Sequence, residues 1–186
     1  SGPPMTLNDL PLRIGAASDG GSRFRGHISR ARVWTRALGP EEVAALAHDP
    51  AAAPKDEALL CDYDLGAPRD GGFANAAGGF LPARIVGTVE AAEHAGRKAA
   101  RFTGQGWVEV ALDERLQLTR AVTLDAWIAP EAMDQAGGRI IDKTQAGGAS
   151  GYMIDTFPGN SLRMIIEPNS LGHDARLEPG RWVHVA

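Results

Sequence analysis

The sequence predicts an all-β fold, an antiparallel sandwich with one short helix, and three observations point there. Gly 23 and Pro 12 among 186 residues supply many turns. Short apolar runs alternate with those turns along the chain, the pattern of a multi-stranded sandwich. One segment alone, Gly39 to Ala47, has the composition of a helix.

Residues 1–10 are polar and read as loop, followed by a short strand from Leu10 to Gly15. Ser18-Asp19-Gly20-Gly21-Ser22 is a strong turn signal. The run from Phe24 to Trp34 is a longer strand. Its apolar alternation is blurred, with Ile28 and Trp34 in one parity and Ala31 and Val33 in the other, as suits a strand covered on both faces. In the helix, Pro40 fits the first turn, where no amide donor is needed, and Glu41 and Glu42 favour the positive end of the dipole. Asp49 to Asp56 is a Pro/Ala-rich linker. The chain therefore divides into residues 1–48, a linker at 49–57, and residues 58–186.

In the second part, Leu59 to Leu65 and Ala83 to Val89 read as strands. Ala99 to Phe102 leads through a Gly104-Gln105-Gly106 turn to Trp107-Val108-Glu109-Val110. Strands follow at Val122 to Ile128 and Arg139 to Lys143. Tyr152 to Thr156 and Ser161 to Ile166 read as a hairpin across Pro158-Gly159-Asn160. An apolar strand runs from Arg181 to Ala186.

Charge and composition exclude several functions. The net charge of −4 and the lack of a basic stripe beyond Arg97, Lys98 and Arg101 argue against a nucleic-acid partner. No run of about 18 apolar residues predicts a membrane span, and no signal-peptide pattern is visible. The single cysteine, Cys61, follows Ala58-Leu59-Leu60 and reads as a buried small hydrophobe, not a reactive thiol. The histidines His27, His48, His94, His173 and His184 show no zinc-site spacing. No Gly-x-Ser-x-Gly elbow occurs.

Two stretches carry a resemblance. The first is Leu12-Arg13-Ile14-Gly15, then Phe24 to Ile28, then Val33-Trp34-Thr35-Arg36-Ala37-Leu38, then Glu41-Glu42-Val43. The second runs from Ala99 to Gly104 through Leu118-Thr119, Val122 to Ile128 and Ile140 to Lys143, to Gly180-Arg181-Trp182-Val183-His184-Val185. Together they resemble the laminin-G-like, concanavalin A-like lectin/glucanase jelly-roll superfamily. The stretch Gly151 to Arg163 resembles modules attached to bacterial polysaccharide-degrading hydrolases. The resemblance implies a concanavalin A-like antiparallel β-sandwich (jelly roll) binding a glycan or polysaccharide. It further implies a catalytic domain of a parent enzyme as partner, and an extracellular or periplasmic location. The closing half comes first here and the opening half second. A circular permutation, two tandem module fragments and a gap in the stated sequence each account for that order. One sandwich assembled from both halves is expected, since two half-sandwiches would expose unpaired edges.

Some relatives in that superfamily are retaining glycosidases, with acidic residues spaced i, i+2, i+5 along one strand so that two carboxylates flank the bond cleaved. Glu109, Asp113 and Glu114 do not fit that spacing, and Glu131 with Asp134 falls in an expected loop. A non-catalytic carbohydrate-binding module is therefore expected. The alternative is a structural sandwich packing on a neighbouring domain.

Sugar recognition requires an aromatic platform and planar polar groups. Trp107 is the candidate stacking ring. Asp125, Asp155 and Arg163 alternate with apolar neighbours on their strands and are expected on one concave polar face, as sugar ligands or as mutually paired charges. Trp34, Trp127, Trp182 and His184 read as packing residues. The family often holds a structural calcium ion, for which Asp19, Asp62, Asp64, Asp70 and Asp113 are the available oxygen ligands. Ser29 and Arg30 stand where an acidic pair usually falls, which weighs against calcium.

Overall fold

The computed structural model describes residues 5–186 except 52, 54, 55 and 147–149. The strands are β1 (Leu12–Ile14), β2 (Arg25–Trp34), β3 (Leu59–Asp64), β4 (Gly72–Phe73), β5 (Ala83–His94), β6 (Arg97–Val110), β7 (Thr123–Pro130), β8 (Gly138–Thr144), β9 (Gly151–Thr156), β10 (Leu162–Ile166), β11 (Asn169–His173) and β12 (Val183–Val185). One helix, α1 (Pro40–His48), follows β2. Pairing joins the strands in the order β11-β10-β9-β8-β1-β6-β2-β7-β12, with β3 on β2, β5 on β6 and β4 on β5. Every strand pair is antiparallel.

This curled sheet folds over one core. Leu12, Ile14, Val108, Val110, Ile141 and Ile154 line it from one limb, and Ile28, Val33, Phe102, Leu124, Ile128 and Val185 from the other. The two limbs share β5 and β6. The C-terminal part of β6 pairs with β1, and its N-terminal part pairs with β2. Between them the β5–β6 register shifts at Gly87/Val89. At this corner the sequence reading is corrected: Gly104-Gln105-Gly106 is not a turn between two strands but the middle of one long strand. A Cβ on Gly106 would lie 2.5 Å from the Thr88 nitrogen and 2.6 Å from the Val86 oxygen, so the close crossing of the two backbones admits only glycine. Bulged corners of this kind let a strand pass from one layer of a sandwich to the other. The hairpin turn joining β5 and β6 has Ala95 at φ 47 and Gly96 at φ 77, the left-handed pair that suits a two-residue connection.

The blurred alternation of β2 has a specific cause. A bulge between Ile28 and Arg30 changes parity, so Ile28, Ala31 and Val33 all face the core. β5 extends beyond Val89 to His94, and the short strands β4 and β11 were not expected. All five residues of β11 are exposed, so no core-facing alternation marks it.

Helix α1 packs on the outer side of the β2–β7–β12 limb. Glu42 accepts the Gly39 amide at 2.8 Å and is gripped by Arg36 at 2.6 and 2.8 Å, which fixes the helix entry. Leu46 is fully buried, and Trp34 lies sealed on the same side. Among the described residues no helix is long and apolar enough to cross a membrane.

Candidate functional site

Alternation and register place side chains on faces. Odd-numbered residues of β6 point away from the core, so Trp107 and Glu109 share the outer face of the β1-side limb. Glu109 pairs with Arg84 across β5 and with Arg13 across β1. Arg13 in turn pairs with Asp142 on β8, and Asp142 with Met153 on β9. Asp155 lies two residues along β9 on the same face, beside Arg139 and Arg163. Trp107, Asp155 and Arg163 are thus brought to one face, on either side of β1 and its loop.

Glu109 organises this face. It accepts from Arg13 Nε at 3.1 Å, Arg84 Nη2 at 2.6 Å and Trp107 Nε1 at 3.2 Å. Burial alone would raise its pKa, but Arg84, Trp107 and Arg13 outweigh burial and hold the carboxyl below its ordinary value. Glu109 is therefore a fixed anion and not a proton donor. The Arg13 guanidinium also donates to the Ala17 and Ser18 carbonyls at 2.8 and 2.6 Å, drawing the loop between β1 and β2 over the face. Trp107 is half-buried, with Arg13 and Arg23 lying 4.9 and 5.0 Å from its ring centre. The indole is a clasped ring and not the freely exposed platform the sequence suggested.

Arg23, beside that ring, also lines a cleft of about 460 Å³. The loop before β2 supplies Ser22 and Arg23, β2 supplies Arg25, β6 supplies Gly104, and the loop after β7 supplies Met133 and Asp134. Arg23 is oriented by bonds to the Gly20 and Gly104 carbonyls at 2.7 and 3.0 Å. The opposing loop is pinned by Asn160, which accepts the Met133 amide at 2.8 Å and donates to the Glu131 carbonyl at 3.2 Å.

Asp155 is almost fully buried. It binds Arg139 at 2.8 Å and Arg163 at 2.7 and 3.2 Å. Arg163 lies 3.8 Å from the Phe157 ring centre. The Asp155–Arg163 pair is thus mutually satisfied, with the arginine at the rim.

Asp125 departs from the expected common face. It lies on β7, on the outer side of the other limb beneath α1, and is 1% exposed. It accepts from Arg32 at 3.1 Å, Trp34 Nε1 at 2.7 Å and His184 at 3.2 Å. No sugar reaches it there. Arg32 is fully buried and also binds Asp62 and the Pro50 carbonyl. On this same side His27 and His94 stack at 4.4 Å, and Arg97 lies 4.0 Å from the Trp127 ring centre and 5.1 Å from that of Trp182.

The five aspartates named for calcium are dispersed. Asp19 accepts the Gly21 amide, and Asp64 the Gly66 amide. Asp62 is held by Arg30 at 2.6 and 2.7 Å. Asp70 sits in a turn at φ 49. Asp113 caps the short 3-10 turn Glu114–Leu116 and pairs with Arg115 at 2.8 Å. Among the described residues no three His, Cys, Asp or Glu side chains gather to hold a metal ion, so the residues present do not fit a calcium site at these positions.

Sequence reasoning missed Arg13, Arg23, Arg25 and Arg84 as site residues. The one available signal was Trp107-x-Glu109, which on a strand sets an indole and a carboxylate side by side.

Residues 102–186 match the laminin G-like family model described as the concanavalin A-like lectin/glucanases superfamily. No curated protein and no solved structure matches the chain.

Proposed function

We propose that this concanavalin A-like sandwich is a non-catalytic carbohydrate-binding module of an exported polysaccharide-active enzyme. The observation that carries the reading is the Trp107 face. An indole, a fixed carboxylate and the guanidinium groups of Arg13, Arg23 and Arg84 converge there, and Arg23 joins the group to an open cleft, the combination of apolar ring and oriented polar groups that saccharides require. The superfamily match supports the same class of ligand. The module would hold the catalytic domain of its parent enzyme near polysaccharide, raising the local concentration of substrate.

The arginine pairing of the carboxylates on this face supports the non-catalytic reading: Glu109 is bound by Arg13 and Arg84, and Asp155 by Arg139 and Arg163, so neither stands free to act on a glycosidic bond. Burial raises the pKa of Asp142, but that residue is sealed at 1% exposure and its hydrogen bonds go to Thr144.

A second reading, docking on a neighbouring domain, draws on Phe80, Leu7 and Leu112, large apolar side chains that are all exposed. The Phe80 carbonyl accepts from Arg115 and the Asn8 carbonyl from Gln117, so Phe80 and Leu7 flank the same short 3-10 turn.

The test is binding of the whole chain to a broad glycan array, with Trp107→Ala in parallel. Selective binding that the variant weakens on the order of tenfold, about 1.4 kcal/mol, is the expected result. Folded protein that binds no saccharide would transfer the assignment to the docking role.

A further inference from the structure

Arginines in this protein are mostly neutralised within the fold. Arg13, Arg30, Arg32, Arg36, Arg139 and Arg163 each hold a carboxylate within 4.0 Å. In the cleft beside Trp107 the pattern changes. Among the described residues neither Arg23 nor Arg25 has a carboxylate partner, although both line the same 460 Å³ cleft. Arg23 donates only to the Gly20 and Gly104 carbonyls. Arg25 is exposed and faces outward at the corner, opposite Thr103. The one acid of the cleft wall, Asp134, accepts the Ala136 amide at 2.9 Å and closes its own loop.

The backbone beneath these two groups keeps the cleft open. Gly104 lies at φ +83, and a Cβ there would stand 3.4 Å from Arg25 Nε. A side chain at this position would be strained at that φ and would pack directly against the guanidinium. Arg23 is held by its two carbonyl bonds and by the Trp107 ring at 5.0 Å, so its position is set before any ligand arrives. The volume falls in the range of small-ligand pockets. One preset guanidinium and a second, exposed one beside it, neither with an internal counter-ion, fit a planar carboxylate or a sulfate, which arginine binds with paired hydrogen bonds. With a net charge of −4, the protein as a whole repels an acidic polymer, so recognition of one has to come from such a local group.

We propose that the cleft takes the acidic group of an anionic saccharide, a uronate carboxylate or a sulfate ester, through Arg23 and Arg25. This rests on the carbohydrate-binding reading and names its ligand class.

The experiment titrates the whole chain with two matched pairs, polygalacturonate against its methyl ester and dextran sulfate against dextran. The charged member of at least one pair is expected to bind roughly tenfold or more tightly than its neutral partner, and which pair discriminates separates uronate from sulfate. Arg25→Gln removes roughly that tenfold preference without moving the thermal midpoint, because the side chain has no partner in the fold. Arg181→Gln changes the net charge equally at the exposed pair with Glu178 and leaves the preference intact. Equal binding of charged and neutral members, or a preference untouched by Arg25→Gln, overturns the proposal while leaving a carbohydrate module. A preference lost equally in Arg181→Gln overturns it in favour of a general charge effect. Binding to no saccharide, charged or neutral, removes the carbohydrate reading itself.

Discussion

Replacing Asp125 by Ala tests whether the network under α1 is structural. In the folded protein Asp125 is 1% exposed and Arg32 is 0%. The substitution leaves a buried guanidinium with only the 3.2 Å contact to Asp62 and the Pro50 carbonyl, and leaves the Trp34 indole N–H unpaired. Breaking one side of a buried ion pair typically costs about 3–5 kcal/mol. An unsatisfied buried donor costs about 1–3 kcal/mol. The two losses share a partner and do not add, so a loss of about 3–5 kcal/mol is expected, a large fraction of a domain stability of about 5–15 kcal/mol. Urea unfolding followed by tryptophan fluorescence measures it. With a slope of about 2 kcal/mol/M, the midpoint falls by roughly 1.5–2.5 M. The double variant Arg32→Met with Asp125→Leu removes both charges together and is expected to recover most of the loss. Acid adds an independent check. Burial would raise the Asp125 pKa, but His184, Arg32 and Trp34 outweigh it and hold the carboxyl below its ordinary value. A depressed carboxylate stabilises the fold fully above its unfolded pKa, near 3.9, and that stability is lost as pH falls below it towards the folded pKa. Wild type should therefore lose this contribution in that acid window and Asp125→Ala should not. A loss under about 1 kcal/mol, or intact stability with abolished glycan binding, would refute the structural role.

The corner and the buried thiol give two further expectations. Gly106→Ala forces a Cβ within 2.7 Å of three backbone atoms of Val86 and Thr88 and is expected to destabilise by about 3 kcal/mol or more. Gly172→Ala meets nothing within 4 Å and stays within about 0.5 kcal/mol of wild type, so comparable denaturation midpoints for the two would contradict the corner. Burial pushes the Cys61 thiol up to about 11, so a thiol reagent at pH 8 should label it only after unfolding. Rapid labelling of native protein would show that the core around β3 is open.

Strands were legible where one face meets the core. Leu124, Ala126 and Ile128 gave β7 its parity, and the same parity put Asp125 on the opposite side correctly. Parity says which side of a strand a residue occupies but not which limb the strand belongs to, so Asp125 and Asp155 were grouped when they lie on different limbs. Gly104 and Gly106 look like a turn in the sequence because glycine signals both a reversal and a close crossing. Only pairing of β6 with β1 and with β2 distinguishes them. The Glu109 cluster was invisible for a related reason. Arg13 and Glu109 stand 96 residues apart in the chain, and nothing local to either announces the other.

The place of β2 has a consequence for how the chain is made. Its partners on β6 and β7 lie at residues 100–103 and 123–130, far downstream, and a ribosome delivers β2 first. Until then Ile28, Ala31, Val33 and Trp34 are apolar residues on a strand with two open edges. Among the described strands the partner that follows it soonest is β3, which returns through α1 and pairs from Arg30 to Trp34. The β2–α1–β3 unit is thus expected to shelter these residues during synthesis, and closure of such long loops is expected to make completion of the sheet slow.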